Sequence, residues 1–513
     1  MPELKQTGQL ALSALPATLK CLFYGGALGV MSMTAFAPYH AWYVLPLCLG
    51  VLLRLALQLS MLQAALLGFA YGLAQFLLGL HWVYSGLLQQ TSAQAWLAAS
   101  LYIILAAACA AFPALILAFT RSLQKLPQTI FCLTIASLWT LSEMLRGELG
   151  MPLLSTSLAM VDAPWANLAG VIGGTGLTWS CALLATLSFR PHLAIIGLSV
   201  CMISSWLMPE WSTQYPSSLK VRLMQGHLSQ QEKASPVGIL RALQTYTELS
   251  DMAEVDLLVT PETAIPLSWQ KQGEQMHQFW QTLSKQNQAV LLLGTYSQHD
   301  SANPGSGQTM ANYNSAYAIF PDGKSPYRYD KVRLAFLGEY LPPYLTWLGR
   351  ILSADFSNMQ AGAESQAPLR IAGLDLSLSI CFESFFPRRK STAYDQPELM
   401  LNLSNFAWFA DSLVPEQALQ ALRLRALENE RWLMLAENSG FTSLISPKGQ
   451  VVAQLSKASK AYLEVRVPAR QGLTPYTRYG QWEWLLLCFI LFLNCTFYRC
   501  AYSDSWLLLK RKV

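Results

Sequence analysis

Three polar residues stand where strand-like apolar runs give way to loops. Cys381 follows Leu376-Ser377-Leu378-Ser379-Ile380, Glu262 follows Val255-Asp256-Leu257-Leu258-Val259-Thr260-Pro261, and Lys331 lies in Tyr329-Asp330-Lys331-Val332. A thiol with an ordinary pKa of about 8.5 is weakly ionised near neutrality, so a nucleophilic cysteine needs a base and a cation beside it. Glu262 can take the proton, and Lys331 can stabilise first the thiolate and then the oxyanion of a tetrahedral intermediate. A cysteine–histidine site is less attractive, because His227, His277 and His299 stand in no motif-like setting. The other nine of the ten cysteines lie in or beside long apolar runs. Cys381 therefore has no disulfide partner in its own domain, and no CxxC or Cys/His spacing suggests zinc. Taken singly, each residue is an ordinary structural one, and an isolated buried thiol is commonly inert core. Three of them at strand ends in one domain, where side chains converge on α/β scaffolds, make a candidate site.

The elements that must position them alternate. Strands are expected at 220–225, 255–260, 289–295, 316–320, 376–380 and 399–403, with helices at 240–249, 276–286 and 415–430. A hairpin over 441–455 turns at Pro447-Lys448-Gly449. Buried strands separated by helices indicate a layered α/β domain. It occupies 212–481, and the rest of the chain is of another kind.

Of the 513 residues, 53% are hydrophobic and 13% charged, where a soluble protein carries about 25% charged residues. The deficit is concentrated in residues 1–208 and 482–500. Seven apolar segments (18–36, 41–59, 61–87, 93–119, 128–145, 166–189 and 193–208) each approach the roughly 20 residues that a bilayer core requires. An eighth starts at Trp482, giving about eight transmembrane helices. The first run leads directly into another and reads as a signal anchor. Lys5, Lys20, Arg54, Arg121, Lys125, Arg190 and the tail Lys510-Arg511-Lys512 fall on one side, which places both termini in the cytoplasm and 212–481 on the far side. Glu143 and Arg146, spaced i, i+3, form either an ion pair on one helix face or a contact with a lipid headgroup. His81 and Trp82 read as interfacial belt residues. The net charge of +5 and the lack of a basic tract give no sign of nucleic acid, and no Walker or dinucleotide motif indicates a cofactor.

The set Pro261-Glu262, Lys331 and Cys381-Phe382-Glu383 resembles the Glu-Lys-Cys triad of the carbon-nitrogen hydrolase (nitrilase) superfamily. With apolar helices before and behind it, the chain is similar to the bacterial apolipoprotein N-acyltransferases nearly end to end. The likeness runs through Ala35-Phe36-Ala37-Pro38-Tyr39, Ser142-Glu143-Met144-Leu145-Arg146-Gly147, Leu337-Gly338-Glu339-Tyr340, Ala407-Trp408-Phe409 and Arg425-Ala426-Leu427-Glu428. It implies a membrane helical domain at 1–208, an αββα nitrilase-like sandwich at 212–481, and a last helix with a basic tail at 482–513. The location implied is the bacterial inner membrane, with the catalytic domain periplasmic.

The activity implied is ping-pong acyl transfer without a metal or other cofactor. Cys381 would take an acyl chain from a phospholipid, typically phosphatidylethanolamine, and pass it to the α-amine of the diacylglyceryl-cysteine of an apolipoprotein. Glu262 would act as base, then acid, then base, Glu339 would help orient the lysine and the incoming group, and Glu383 would be the supporting acid just after the nucleophile. The chain departs from the family pattern in Phe382 for tyrosine, Ala335-Phe336 for proline-phenylalanine, Ala410 for glycine, and a 230–235 segment whose Ala234 region lacks a tryptophan. A membrane-bound amidase or a paralogue acylating another amine shares the triad. A non-catalytic lipid-binding protein is the reading from a different class.

Overall fold

The computed structural model describes residues 16–90, 94–188, 190–233, 235–300, 310–335, 338–340, 359–387, 397–409 and 412–480. The described residues group into two compact units. One is drawn from Met1–Gly79, Ile103–Met208 and Tyr479–Val513, and the other from Leu80–Tyr102 and Pro209–Arg478. Leu80–Tyr102, assigned by composition to the membrane part, thus groups with the polar domain.

In the first unit, helices of 16 and 13 residues (Ala17–Ser32 and Val44–Ala56) are shorter than the spans expected at 18–36 and 41–59, and one of 17 residues (Pro191–Leu207) stands at the span expected over 193–208. Four helices among the described residues are long and apolar enough to cross a membrane: Met61–Gly79, Ala95–Leu123, Gln128–Glu148 and Ala166–Leu187. The expected span 61–87 breaks after Gly79, and a second helix, His81–Gln90, begins there. The expected last span and its basic tail lie outside the described residues.

Glu143 and Arg146 each hold partners within the protein other than one another. The Glu143 carboxylate accepts from the Thr156 backbone N–H at 2.9 Å, the Thr156 hydroxyl at 2.7 Å and the Thr178 hydroxyl at 3.3 Å. Buried Arg146 donates to the carbonyls of Met151, at 2.7 Å, and Leu153. Each charge pins the irregular stretch that follows its own helix, because backbone groups outside a helix in an apolar setting need side-chain partners.

The second unit is a four-layer sandwich. One six-stranded sheet runs in the order β12 (Ala461–Gln471), β1 (Thr213–Gln225), β2 (Leu257–Val259), β3 (Val290–Asp300), β4 (Met310–Ile319) and β5 (Tyr327–Asp330). The other runs β11 (Val451–Gln454), β10 (Ser443–Ile445), β9 (Leu433–Glu437), β8 (Leu399–Ser404), β7 (Leu374–Ile380) and β6 (Leu369–Ile371). In β7 every second residue is buried, in keeping with the two-residue period of a strand. Its Leu376, Leu378 and Ile380 join Leu219, Val221, Leu257 and Val259 of the facing sheet in one core.

Helices close both outer faces. Tyr246 of Pro236–Ser250 and Trp280 of Trp269–Asn287 pack on Leu258, Leu291 and Leu293. Leu422 and Ala426 of Val414–Asn429 pack on Leu433, Leu435 and Ile445. Central strands pair in parallel (β1–β2–β3 and β7–β8–β9), so their C-terminal ends point the same way within each sheet.

That polarity brings the end of β2, where Glu262 follows, against β3. A β-carbon on Gly294 would stand 2.0 Å from the Pro261 carbonyl oxygen, so only glycine lets the two chains approach. Gly294→Ala is expected to push Pro261-Glu262 out of place and to cost about 1–3 kcal/mol by overpacking. A lower thermal midpoint of the detergent-solubilised protein checks it.

Candidate active site

Lys331 sits one residue beyond β5 and is held by its own backbone N–H donating to the Asn314 carbonyl at 2.8 Å. Its side chain is 1% exposed. A lone ammonium there would be prohibitively costly, and two carboxylates answer it. Nζ lies 3.1 Å from Oε1 of Glu262 and 2.9 Å from Oε2 of Glu339. Burial works against the charge, but the two carboxylates outweigh it and hold the ammonium well above its ordinary value.

Asn314 of β4 completes the cluster. Its amide nitrogen donates to Glu262 at 2.7 Å and to Glu339 at 2.6 Å, locking both carboxylates about one lysine. Glu339 is further fixed by the backbone N–H of Ala335 at 2.8 Å. Reading the sequence did not single out Asn314, a neutral residue inside a strand without a motif. Its only signal is a polar side chain at a position that the strand buries.

Cys381 enters from the other sheet. It ends β7 and opens a short 3-10 turn, Cys381–Phe385, with φ of +53°. A non-glycine residue in that region is strained, and such strain persists where the surroundings impose it. The half-buried thiol lies within the electrostatic reach of Glu262, Lys331 and Glu339. Burial, and then the nearby Glu262 charge, push its pKa well up, with Lys331 acting in the opposite direction. At rest the sulfur therefore holds its proton as a thiol.

Glu383 has a different place from the other two glutamates. It accepts from the backbone N–H groups of Ile380 at 2.5 Å, Val332 at 2.7 Å and Arg333 at 3.1 Å, and from the Tyr329 hydroxyl at 3.0 Å. It ties the start of the cysteine turn to the loop that carries Lys331, and so joins the two sheets at the site. Burial raises its pKa, and the three backbone N–H groups work against that rise. The Phe382 ring meets Phe385 at a tilt and Phe386 edge-on, with centroids 5.4 and 5.5 Å apart.

The structure thus brings Glu262, Lys331, Glu339 and Cys381 together and sets Glu383 behind the turn. Phe336, Ala410 and Ala234, three of the departures noted in the sequence, lie outside the described residues. Among the described residues no group of histidine, cysteine and carboxylate side chains is arranged to hold a metal ion.

The helix His81–Gln90 packs at the edge of this unit. The Trp82 indole N–H donates to the Gln417 side chain at 3.3 Å, and its ring meets Phe409 edge-on at 5.1 Å. Trp82 is therefore packed within the unit and is not a free belt residue. Gly86, one turn on, lies so close to Phe409 that a β-carbon would be 2.4 Å from the ring.

Residues 220–476 match the carbon-nitrogen hydrolase family, and residues 28–187 match the apolipoprotein N-acyltransferase N-terminal domain. The chain is 32% identical over 472 residues to an apolipoprotein N-acyltransferase of Ralstonia nicotianae, covering 88% of each chain. The chain belongs to the apolipoprotein N-acyltransferase family. A relative of that name from Nitrosomonas europaea is 33% identical over 88% of this chain and 92% of its own. One from Methylococcus capsulatus is 31% identical, over 90% and 92%. These relatives span both the apolar helices and the sandwich, in agreement with the membrane-protein reading of the composition.

Glu383→Gln replaces one acceptor edge with a donor that faces backbone N–H groups. It is expected to destabilise the protein by about 1–3 kcal/mol and to speed alkylation of Cys381 by iodoacetamide as the turn loosens. Thermal unfolding and peptide mass spectrometry check the two effects.

Proposed function

We propose that the protein is an apolipoprotein N-acyltransferase that carries a fatty acyl chain on Cys381. The observation that supports this best is the buried Glu262–Lys331–Glu339 cluster beside a protonated, strained thiol, in a chain of that family. In the first half-reaction Glu262 takes the Cys381 proton as sulfur attacks the ester carbonyl of a phospholipid, for which phosphatidylethanolamine is the proposed donor. The Lys331 ammonium, which meets Oε1 of Glu262 and both oxygens of Glu339, supplies the positive charge that stabilises the oxyanion of the tetrahedral intermediate. Collapse breaks the ester C–O bond, Glu262 returns the proton to the leaving alkoxide, and a lysophospholipid departs from the thioester.

In the second half-reaction the neutral α-amine of a diacylglyceryl-cysteine attacks the thioester. Glu262 takes a proton from the nitrogen, the C–S bond breaks, and that proton returns to sulfur as the amide forms. Glu339 and Asn314 hold the lysine and the base in register throughout. The site faces the periplasm in this reading, with both termini in the cytoplasm of the inner membrane. Donor and acceptor are then both anchored in the lipid leaflet on the site's own side, and holding them side by side removes much of the entropic barrier to transfer.

Incubated with fluorescent phosphatidylethanolamine, the wild type is expected to form a hydroxylamine-sensitive adduct on Cys381. Cys381→Ala and Cys381→Ser are expected to form no thioester, and a retained adduct would sink the assignment of the nucleophile. Glu262→Gln is expected to slow adduct formation by about 10²–10⁴-fold. Addition of a diacylglyceryl lipopeptide should yield its N-acylated form. Release of free fatty acid in its place would mark an amidase-like hydrolase, and a wild type that never acquires the adduct would mark a non-catalytic lipid binder.

A further inference from the structure

Behind Glu262 lies a second buried cation that the acyl-transfer scheme does not use. Lys233 ends the short turn Gln230–Lys233 and is 1% exposed. Its Nζ approaches the Thr263 carbonyl at 3.4 Å, and Thr263, next to Glu262, sits in the left-handed region with φ of +45°. Fully buried Glu437, at the end of β9, accepts from the backbone N–H groups of Phe406 at 2.8 Å and Ser439 at 3.0 Å. Both Glu437 and Glu262 act electrostatically on Lys233.

The segment that delivers Lys233 is latched at several points. Asn438 donates to the Leu228 carbonyl at 2.8 Å and accepts from the Leu228 backbone N–H at 3.2 Å. Asn405 donates to the Thr263 hydroxyl at 3.1 Å and to Gln230 at 3.2 Å, and accepts from Asn438 at 3.1 Å. The ends of both sheets therefore hold the lysine from behind.

We propose that Lys233, balanced by Glu437, is a positioning residue whose ammonium braces the Thr263 carbonyl and so fixes where the adjacent Glu262 carboxylate stands. The inference rests on the acyltransferase reading above.

The charged and titratable groups around the pair come from every side. Glu262, with Lys331 and Glu339 beyond it, lies ahead, and Tyr296 of β3 is buried against all three. Tyr246 of the helix Pro236–Ser250 faces Glu437. Glu232, on the turn itself, is exposed and paired with Arg241. Burial brings Lys233 down to about 8, with Glu262 and Glu437 opposing the fall. Burial brings Glu437 up to about 7. Near neutral pH the lysine is charged, and it loses its proton as pH rises through about 8. Removing the Glu437 charge takes away part of what opposes burial, so the lysine then loses its proton at lower pH.

The test is the rate of acyl-Cys381 formation by the full-length protein with fluorescent phosphatidylethanolamine, from about pH 6 to about pH 10. The wild-type rate is expected to fall on the alkaline side near pH 8 as Lys233 deprotonates. Lys233→Arg, whose side chain does not titrate there, should lose that fall, and Glu437→Gln should move it to lower pH. Lys233→Met should lower kcat by about tenfold or more at neutral pH, as displacement of a reacting group would, with little change in KM for the phospholipid. A Lys233→Arg profile with the wild-type alkaline fall, or a Glu437→Gln profile that has not moved, overturns the proposal. Should Lys233→Arg fail to fold, Glu437→Gln decides alone. A wild type that acylates but shows no fall refutes this inference only. A wild type without an adduct at any pH removes it together with the acyltransferase reading.

Discussion

A single ammonium group, buried at Lys331, constrains the whole catalytic unit. Such a charge cannot stand in a protein interior unless opposite charge is brought to it, and here that charge comes from the loop after β2 and from the turn holding Glu339. Asn314 of β4 then has to lie where one amide reaches both carboxylates. The parallel pairing of the central strands answers this requirement, because it delivers loops of one sheet to one end. The facing sheet adds Cys381 across the shared core. Glu383 keeps the two sheets in register by spending its carboxylate on backbone groups from both.

The same charge bears on the resting state of the thiol. Burial does most to keep the proton on Cys381, the nearby Glu262 charge adds to that, and Lys331 acts in the opposite direction. In the proposed acyl transfer such a sulfur would be activated only in concert with attack. The left-handed backbone at Cys381 presents that sulfur at a turn instead of along a strand.

Much of this was legible in the sequence, for identifiable reasons. Cys381 could be found because β7 alternates buried and half-buried residues up to it, and Glu262 because an apolar strand stops at a proline before it. Lys331 was harder, since β5 is four residues long with Arg328 in it and has no periodicity of its own. The family likeness supplied Glu339 and Glu383, but not that Glu383 binds four donors while Glu339 binds the lysine. β9 and β12 escaped, the former hidden behind a long helix and the latter an edge strand of mixed polarity. Asn314 and Lys233 carried little signal because their meaning arises from partners far away in the chain. Among the apolar segments, 18–36, 41–59 and 61–87 were drawn too long, since hydropathy alone does not register where a helix such as Met61–Gly79 stops.

The near-contact between Gly86 and Phe409 ties two stretches more than 300 residues apart in sequence. Residue 86 has no room for a methyl group while an aromatic ring fills position 409, so the two positions are bound to vary together. A hybrid assembled by cutting between the apolar helices and the sandwich would inherit position 86 from one parent and 409 from the other. The natural seam for exchanging parts among such proteins therefore lies before Leu80, with the helix that bears Gly86 travelling alongside the sandwich it packs upon.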